Sequence, residues 1–209
     1  MAPAAAIQAA AAVATVPTQR RRTLPTAVTL LLCIAMGLFT PQALDVVLAT
    51  MTHGLRLFWP DPDPALATKG AIAQARYRLG ARPVVALFHQ ACGPLATVRT
   101  PGAFLFGLRL LAIDGTVEDV PDAPANVRAF GRHHADRGDS AFPQVQGVYL
   151  IECGAHAVID AGFWPCRIAE RVGALWLPRH VGAGYSISYP ARWAAITAVG
   201  TEPSGTRAR

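Results

Sequence analysis

Charge is scarce in this 209-residue chain, at 15% of residues against 52% hydrophobic. That leaves ample apolar side chains for a core in one or two domains. Cysteine is scarcer still: Cys33, Cys92, Cys153 and Cys166 stand apart with no C-x-x-C pair. Their spacing argues against a zinc site and a disulfide framework, and it fits a reducing cytoplasm. Missing too is an apolar run long enough to cross a bilayer. The run from Ala27 to Phe39, broken only by Thr29, suits a buried helix. Arg20 to Arg22 in front of it imitate a signal peptide, but they lie far from Met1, and a helical pattern continues beyond. There is no Gly-rich phosphate loop, no nucleophile elbow and no Cys/His catalytic arrangement, and no aspartate follows Asp160.

The charge that is present is unevenly spread. Residues 1–110 hold ten Lys and Arg against three Asp and Glu, whereas residues 111–209 hold nine against ten. The first half is therefore the one suited to a polyanion. Residues 1–22 are low in complexity and read as a disordered leader. Residues 23–100 read as a helical DNA-binding-type domain. In it Leu44, Val47, Leu48, Met51 and Leu55 recur at helical steps, and Trp59 to Pro64, with three prolines, forms a linker or sharp turn. Thr68 is the expected N-cap of a helix ending at Gly80, and a second helix begins at Pro83. This helix–turn–helix outline offers Lys69, Gln74, Arg76, Arg78 and Arg82 to phosphates or base edges; the alternative is a solvated face.

From Leu108 the period turns extended. Leu108–Thr116, Gln144–Cys153 and Ala155–Phe163 are strand candidates, the last two forming a hairpin about Gly154, and a helix from Ile168 to Leu177 follows. In that helix Val172, Leu175 and Trp176 are expected inward, with Glu170 and Arg171 exposed. Asp114 follows Leu110 to Ile113, which delivers a carboxylate to the end of a buried strand, where a divalent cation would offset burial. Asp114-Gly115 is also a hairpin-turn signal. Glu118 shares the face of Asp114 on an extended strand. His133-His134, with Asp136 and Asp139, reads as a polar loop rather than a metal site.

Four segments in combination carry a resemblance: AIDGT at Ala112–Thr116, PANVRAFGR at Pro124–Arg132, AFPQVQGVYLIECGAHAVIDA at Ala141–Ala161, and GFWPCRIAER at Gly162–Arg171. Together with AIAQARYRLG at Ala71–Gly80, they resemble bacterial insertion-sequence transposases of the DDE type, in the group founded on the fourth catalogued insertion sequence, over roughly residues 24–175. The resemblance implies an α+β chain: a helical N-terminal domain, then a partial ribonuclease-H-like catalytic domain over 101–177 of three strands and a helix, with an irregular tail over 178–209. It also implies DNA nicking and strand transfer at transposon ends, with Mg²⁺ ions held by two aspartates and a glutamate. Asp114 matches the first aspartate, as catalytic residue and metal ligand. The second acid is expected where this chain reads YSISYPARW, with Pro190 near its place, and Glu202 is the only acid of the tail.

The resemblance places Arg128, Arg132 and Arg137 near DNA phosphates. It makes the chain a transposase-derived protein lacking a full acid triad; the alternatives are a non-catalytic DNA-binding protein competing for transposon ends, and a nonfunctional remnant. Without a strand to carry the second acid, the first strand would expose an unpaired edge, and self-association is then expected.

Overall fold

A computed structural model describes residues 4–14, 24–52, 54, 68–136, 138–177 and 185–188. The chain divides into two compact units, Met1–Ala91 and Cys92–Arg209.

The first unit holds α1 (Ala4–Ala12), α2 (Thr26–Leu38), α3 (Leu44–Thr52), α4 (Lys69–Leu79) and α5 (Arg82–Ala91). Of the leader expected to be disordered over 1–22, Ala4–Ala12 instead forms α1, and residues 1–3 and 15–22 lie outside the described residues. Alanine is the strongest helix former, and Ile7 and Ala10, one turn apart, are buried with Ala27, Leu30, Leu79 and Leu87. The apolar run is α2, whose Val28, Leu32 and Ala35 pack with Val47 and Leu48 of α3 and Ile72 and Ala75 of α4. Burial on several sides explains its nearly uninterrupted apolar sequence. No helix among the described residues is long and apolar enough to cross a membrane. Thr68 caps α4, its hydroxyl accepting from the Ala71 N–H at 3.2 Å. Gly80, at φ +65°, turns the chain out of the helix. Leu55 and the Trp59–Pro64 linker lie outside the described residues.

The second unit holds β1 (Phe104–Leu105), β2 (Leu108–Asp119), α6 (Pro124–Phe130), β3 (His134–Ala135), β4 (Gly138–Asp139), β5 (Gln144–Glu152), β6 (Ala157–Pro165), α7 (Glu170–Trp176) and β7 (Tyr185–Ser188). The chain is thus α+β. β2, β5 and β6 form an antiparallel meander, with Ile113 opposite Leu150 and Leu150 opposite Asp160. Leu111 pairs with Glu152 of β5 and also with Ile187 of β7, so β7 lies on the other edge of β2, parallel to it. This corrects the expectation of an unpaired edge along the start of the first strand; of the tail expected to be irregular, only residues 185–188 are described, and they form a strand. The described pairing covers Tyr185–Ser188, and Pro190 lies outside the described residues.

One face of the sheet, built by Leu111, Ile113, Val148 and Leu150, packs with Ala174 and Leu177 and with Ile159 and Trp164. α7 approaches closely because Gly173 has no side chain: a Cβ there would lie 3.0 Å from Trp164 and Val148. This small-residue contact also corrects the expected orientation of the helix. Gly173, Ala174 and Leu177 face inward, while Leu175 and Trp176 are exposed. α6 is a further helix that the sequence pattern did not single out, and the polar stretch around His134 folds back as the β3–β4 hairpin.

Candidate catalytic face and nucleic-acid surface

Side chains alternate across a strand, so Leu111 and Ile113, in the core with α7, leave Asp114 and Glu118 on the opposite face, where both are exposed. Asp114 sits within the strand rather than at its end. The ladder runs on to Asp119 opposite Gln144, which rules out the hairpin-turn reading of Asp114-Gly115. Oδ1 of Asp114 accepts from the Gly115 N–H at 2.9 Å.

Tyr149 lies directly across from Asp114. Its hydroxyl donates to Oε1 of Glu118 at 2.7 Å, and its ring meets Phe163 edge-on at 6.0 Å between centroids. Burial, and then the Glu118 carboxylate, push the phenol up to about 12. Glu118 is thereby tied to Tyr149. Sequence reasoning passed over Tyr149, although it is the aromatic residue of an apolar strand placed opposite an acid.

On the other face, Glu170 opens α7 and lies against Gly115, where a Cβ would be 2.5–2.8 Å from its Cγ, Cδ and Oε1. Glu170 is half-buried rather than exposed; the glycine after Asp114 is what admits it. Asp160 is buried, stands opposite Leu150 in register, and accepts from the Ala161 N–H at 2.9 Å. That register puts Asp160 on the α7 face, away from Asp114. Among the described residues no group of three or more His, Cys, Asp and Glu could hold a metal ion. Among the described residues, the donors around Asp114 do not make up a two-ion magnesium site.

Glu152 anchors the start of this unit. Its Oε2 accepts from the N–H groups of Leu95 and Ala96 at 2.8 and 2.7 Å, and its Oε1 accepts from Arg109, which also donates to the Ala96 carbonyl at 2.9 Å. Burial alone would raise this carboxyl. The two N–H donors and the guanidinium outweigh burial and hold it below the usual carboxylate range. The knot draws segment 92–97 onto the sheet. No local sequence signal marks Glu152, because its donors stand far away in the chain.

In α4, Lys69 and Arg76 are seven residues apart and return to within about 20° of one another, whereas Arg76 and Arg78 are about 200° apart. Ile72, Ala75 and Leu79 occupy the buried stripe between them. Lys69 and Arg76 thus flank one side of that stripe, and Arg78 flanks the other, with Gln74 beyond it. Arg82 is exposed at the start of α5. Arg76 also hydrogen-bonds the Cys33 thiol, but burial is the larger influence and raises that thiol. Cys92 is raised by burial, and Cys153 by burial and then by Glu152. These three thiols stay protonated at neutral pH and are poor nucleophiles.

In the second unit Arg128 is exposed on α6. Arg132 is engaged within the fold, donating to the carbonyls of Ser140, at 2.9 Å, and Ala141, and to Oδ1 of Asp122 at 2.6 Å. Arg137 lies outside the described residues. His134 Nδ1 meets Asp139 Oδ1 at 2.7 Å across the β3–β4 hairpin.

The family described as Insertion element 4 transposase N-terminal matches residues 1–89. Transposase InsG for insertion sequence element IS4, from Escherichia coli (strain K12), is 31% identical over 153 residues, 73% of this chain and 33% of that protein. Putative transposase InsZ of the same organism is 33% identical over 108 residues, 51% of this chain and 36% of that protein. The chain thus spans about a third of the length of the curated relatives it matches. No solved structure matches it.

Proposed function

The chain is a transposase-like protein of the insertion element 4 family, and from that premise we propose that it is a DNA-binding protein derived from a DDE transposase and does not cleave DNA by itself. One observation carries the reading: Asp114 stands on a central strand, β2, which opens an antiparallel meander, is followed by a helix, and is then flanked by a strand parallel to itself. That order supports a ribonuclease-H-like sheet, in which the strand beside the first would bring the second acid. Here Ala112 pairs with Ser188; two residues past the one stands Asp114, and two past the other stands Pro190. A proline offers no carboxylate. One aspartate cannot hold two magnesium ions against their hydration shells, so no step is routed through metal. The reading places the chain in the cytoplasm, where DNA is the partner.

The first unit supplies the binding. Lys69 and Arg76 on one flank of α4, Arg78 on the other and Arg82 on α5 lie in the basic half of the chain. Cations that neutralise phosphates release condensed counterions, so affinity falls steeply with salt. The test titrates the full chain onto labelled duplex DNA across a salt series and incubates it with supercoiled plasmid and Mg²⁺. Salt-dependent binding without nicking is expected. Nicking abolished by Asp114→Ala would overturn the non-catalytic reading, and binding indifferent to salt would overturn the DNA-binding one.

A further inference from the structure

The first hairpin of the second unit carries an aromatic ring at its tip. Leu105 of β1 pairs with Leu108 of β2, so the turn between them has two residues, Phe106 and Gly107. Both have positive φ, at 51° and 78°. Glycine takes that geometry readily, and asparagine or aspartate is the usual residue before it in such a turn. A bulky phenylalanine there is strained. Burial does not offset the strain, because Phe106 is 94% exposed and Leu105 beside it is 51% exposed. A strained residue that packs against nothing within its own unit points to a partner outside it.

The root of the hairpin is held firmly. Arg109, opposite Phe104 in register, lies over the Phe104 ring at 4.8 Å and donates to the Ala96 carbonyl and to Glu152. What protrudes is a short wedge with an apolar tip. Charge in the surrounding sequence indicates the partner. From Pro64 to Ile113 the chain has no Asp or Glu and six Lys and Arg. In the second unit that stretch supplies Arg99, which is exposed, and Arg109, whose charge is met by Glu152. A polyanion that offers flat apolar faces suits both the ring and the missing acids, and duplex DNA is one, with stacked bases behind its phosphates. Phenylalanine is among the side chains that enter between base pairs when a protein kinks a duplex. We infer that Phe106 wedges into a base step of duplex DNA and stacks on the opened base. The inference rests on the DNA-binding reading of the first unit and makes the second unit a part that deforms the duplex.

The experiment uses the full chain and two labelled duplexes of one sequence, one intact and one with a single central abasic site, where the stack is already open. The chain should bind the abasic duplex about tenfold more tightly, with the same salt slope. Phe106→Asn, which suits positive φ, should resist urea at least as well as the native chain and bind the two duplexes equally. Phe106→Trp, which keeps a stacking face, should keep the preference. Salt-dependent binding without preference for the abasic duplex, or a preference that survives Phe106→Asn, would overturn this inference and leave the DNA-binding reading standing. Absence of salt-dependent binding to either duplex would remove both.

Discussion

Glu152→Gln isolates the knot that holds segment 92–97 to the sheet. The substitution keeps the size of the side chain and one carbonyl oxygen, which can still accept from Leu95 and Ala96. It replaces the other oxygen with an NH₂ group, and this donor then faces the Arg109 guanidinium, itself a donor. Breaking a buried ion pair from one side costs about 3–5 kcal/mol. Arg109 keeps 19% of its side-chain surface in water, which lets solvent reclaim part of the stranded charge and points to the lower end, about 3 kcal/mol. That is a large share of the roughly 5–15 kcal/mol by which a domain is stable.

Urea unfolding followed by fluorescence of Trp164 and Trp176, which pack with ring centroids 5.6 Å apart, reports on this unit. The pH dependence gives a second reading. Because the folded Glu152 carboxyl lies below its unfolded value, its contribution is complete above the usual carboxylate range and is lost as pH falls through the depressed folded value. The gap between native chain and variant should therefore be full above the ordinary carboxylate range, begin to close as pH falls into it, and go on closing down to the depressed folded value. A loss under about 1 kcal/mol at neutral pH, close to the net worth of one ordinary hydrogen bond, would show that the knot contributes little.

Tyr149 should titrate near 12 in a difference spectrum against Tyr149→Phe, and Glu118→Gln should bring it partway back toward 10. Since the folded phenol is raised, its stabilising effect is present below the unfolded value of 10 and is lost as pH rises through 12; an unshifted phenol would dissolve the Tyr149–Glu118 pair. Gly154→Ala should cost about 2 kcal/mol in urea unfolding, because the new Cβ meets the Cβ, Cα and N of Ala103, none of them the far end of a flexible side chain; a neutral variant would refute the contact. Replacing Arg76 and Arg78 together should lower the salt slope of duplex binding by about one unit, because they project from opposite sides of α4 and only one can face a given duplex. A drop of two units, or none, contradicts that phase. Amide exchange should be slowed across Tyr185–Ser188 by pairing with Arg109–Ala112, and exchange at the rate of an unstructured peptide would remove β7.

How much of this was legible depended on contrast between neighbouring residues. The change from helical to alternating period marked the passage from α5 to β2, and alternation alone put Asp114 and Glu118 on one face. Where contrast was lacking the reading failed. In α1 nearly every residue is alanine, so no stripe shows, yet Ile7 and Ala10 are buried. In α7 the larger side chains, Leu175 and Trp176, drew the inward assignment, whereas the helix approaches the sheet through Gly173 and Ala174 because close approach requires small residues. Proline misled in YSISYPARW because its cost is confined to its own N–H, and the four residues of β7 pair before reaching it.

The face bearing Asp114 shows the same limit from the chemical side. Periodicity states which way a carboxylate points, but not which groups meet it there. Tyr149 arrives from β5 through register, and its hydroxyl takes Glu118, the acid that spacing had offered as a partner for Asp114. Glu170 approaches the same stretch of strand from the other face, over Gly115. Asp114 is thus left on an exposed face without a second and third carboxylate gathered beside it among the described residues.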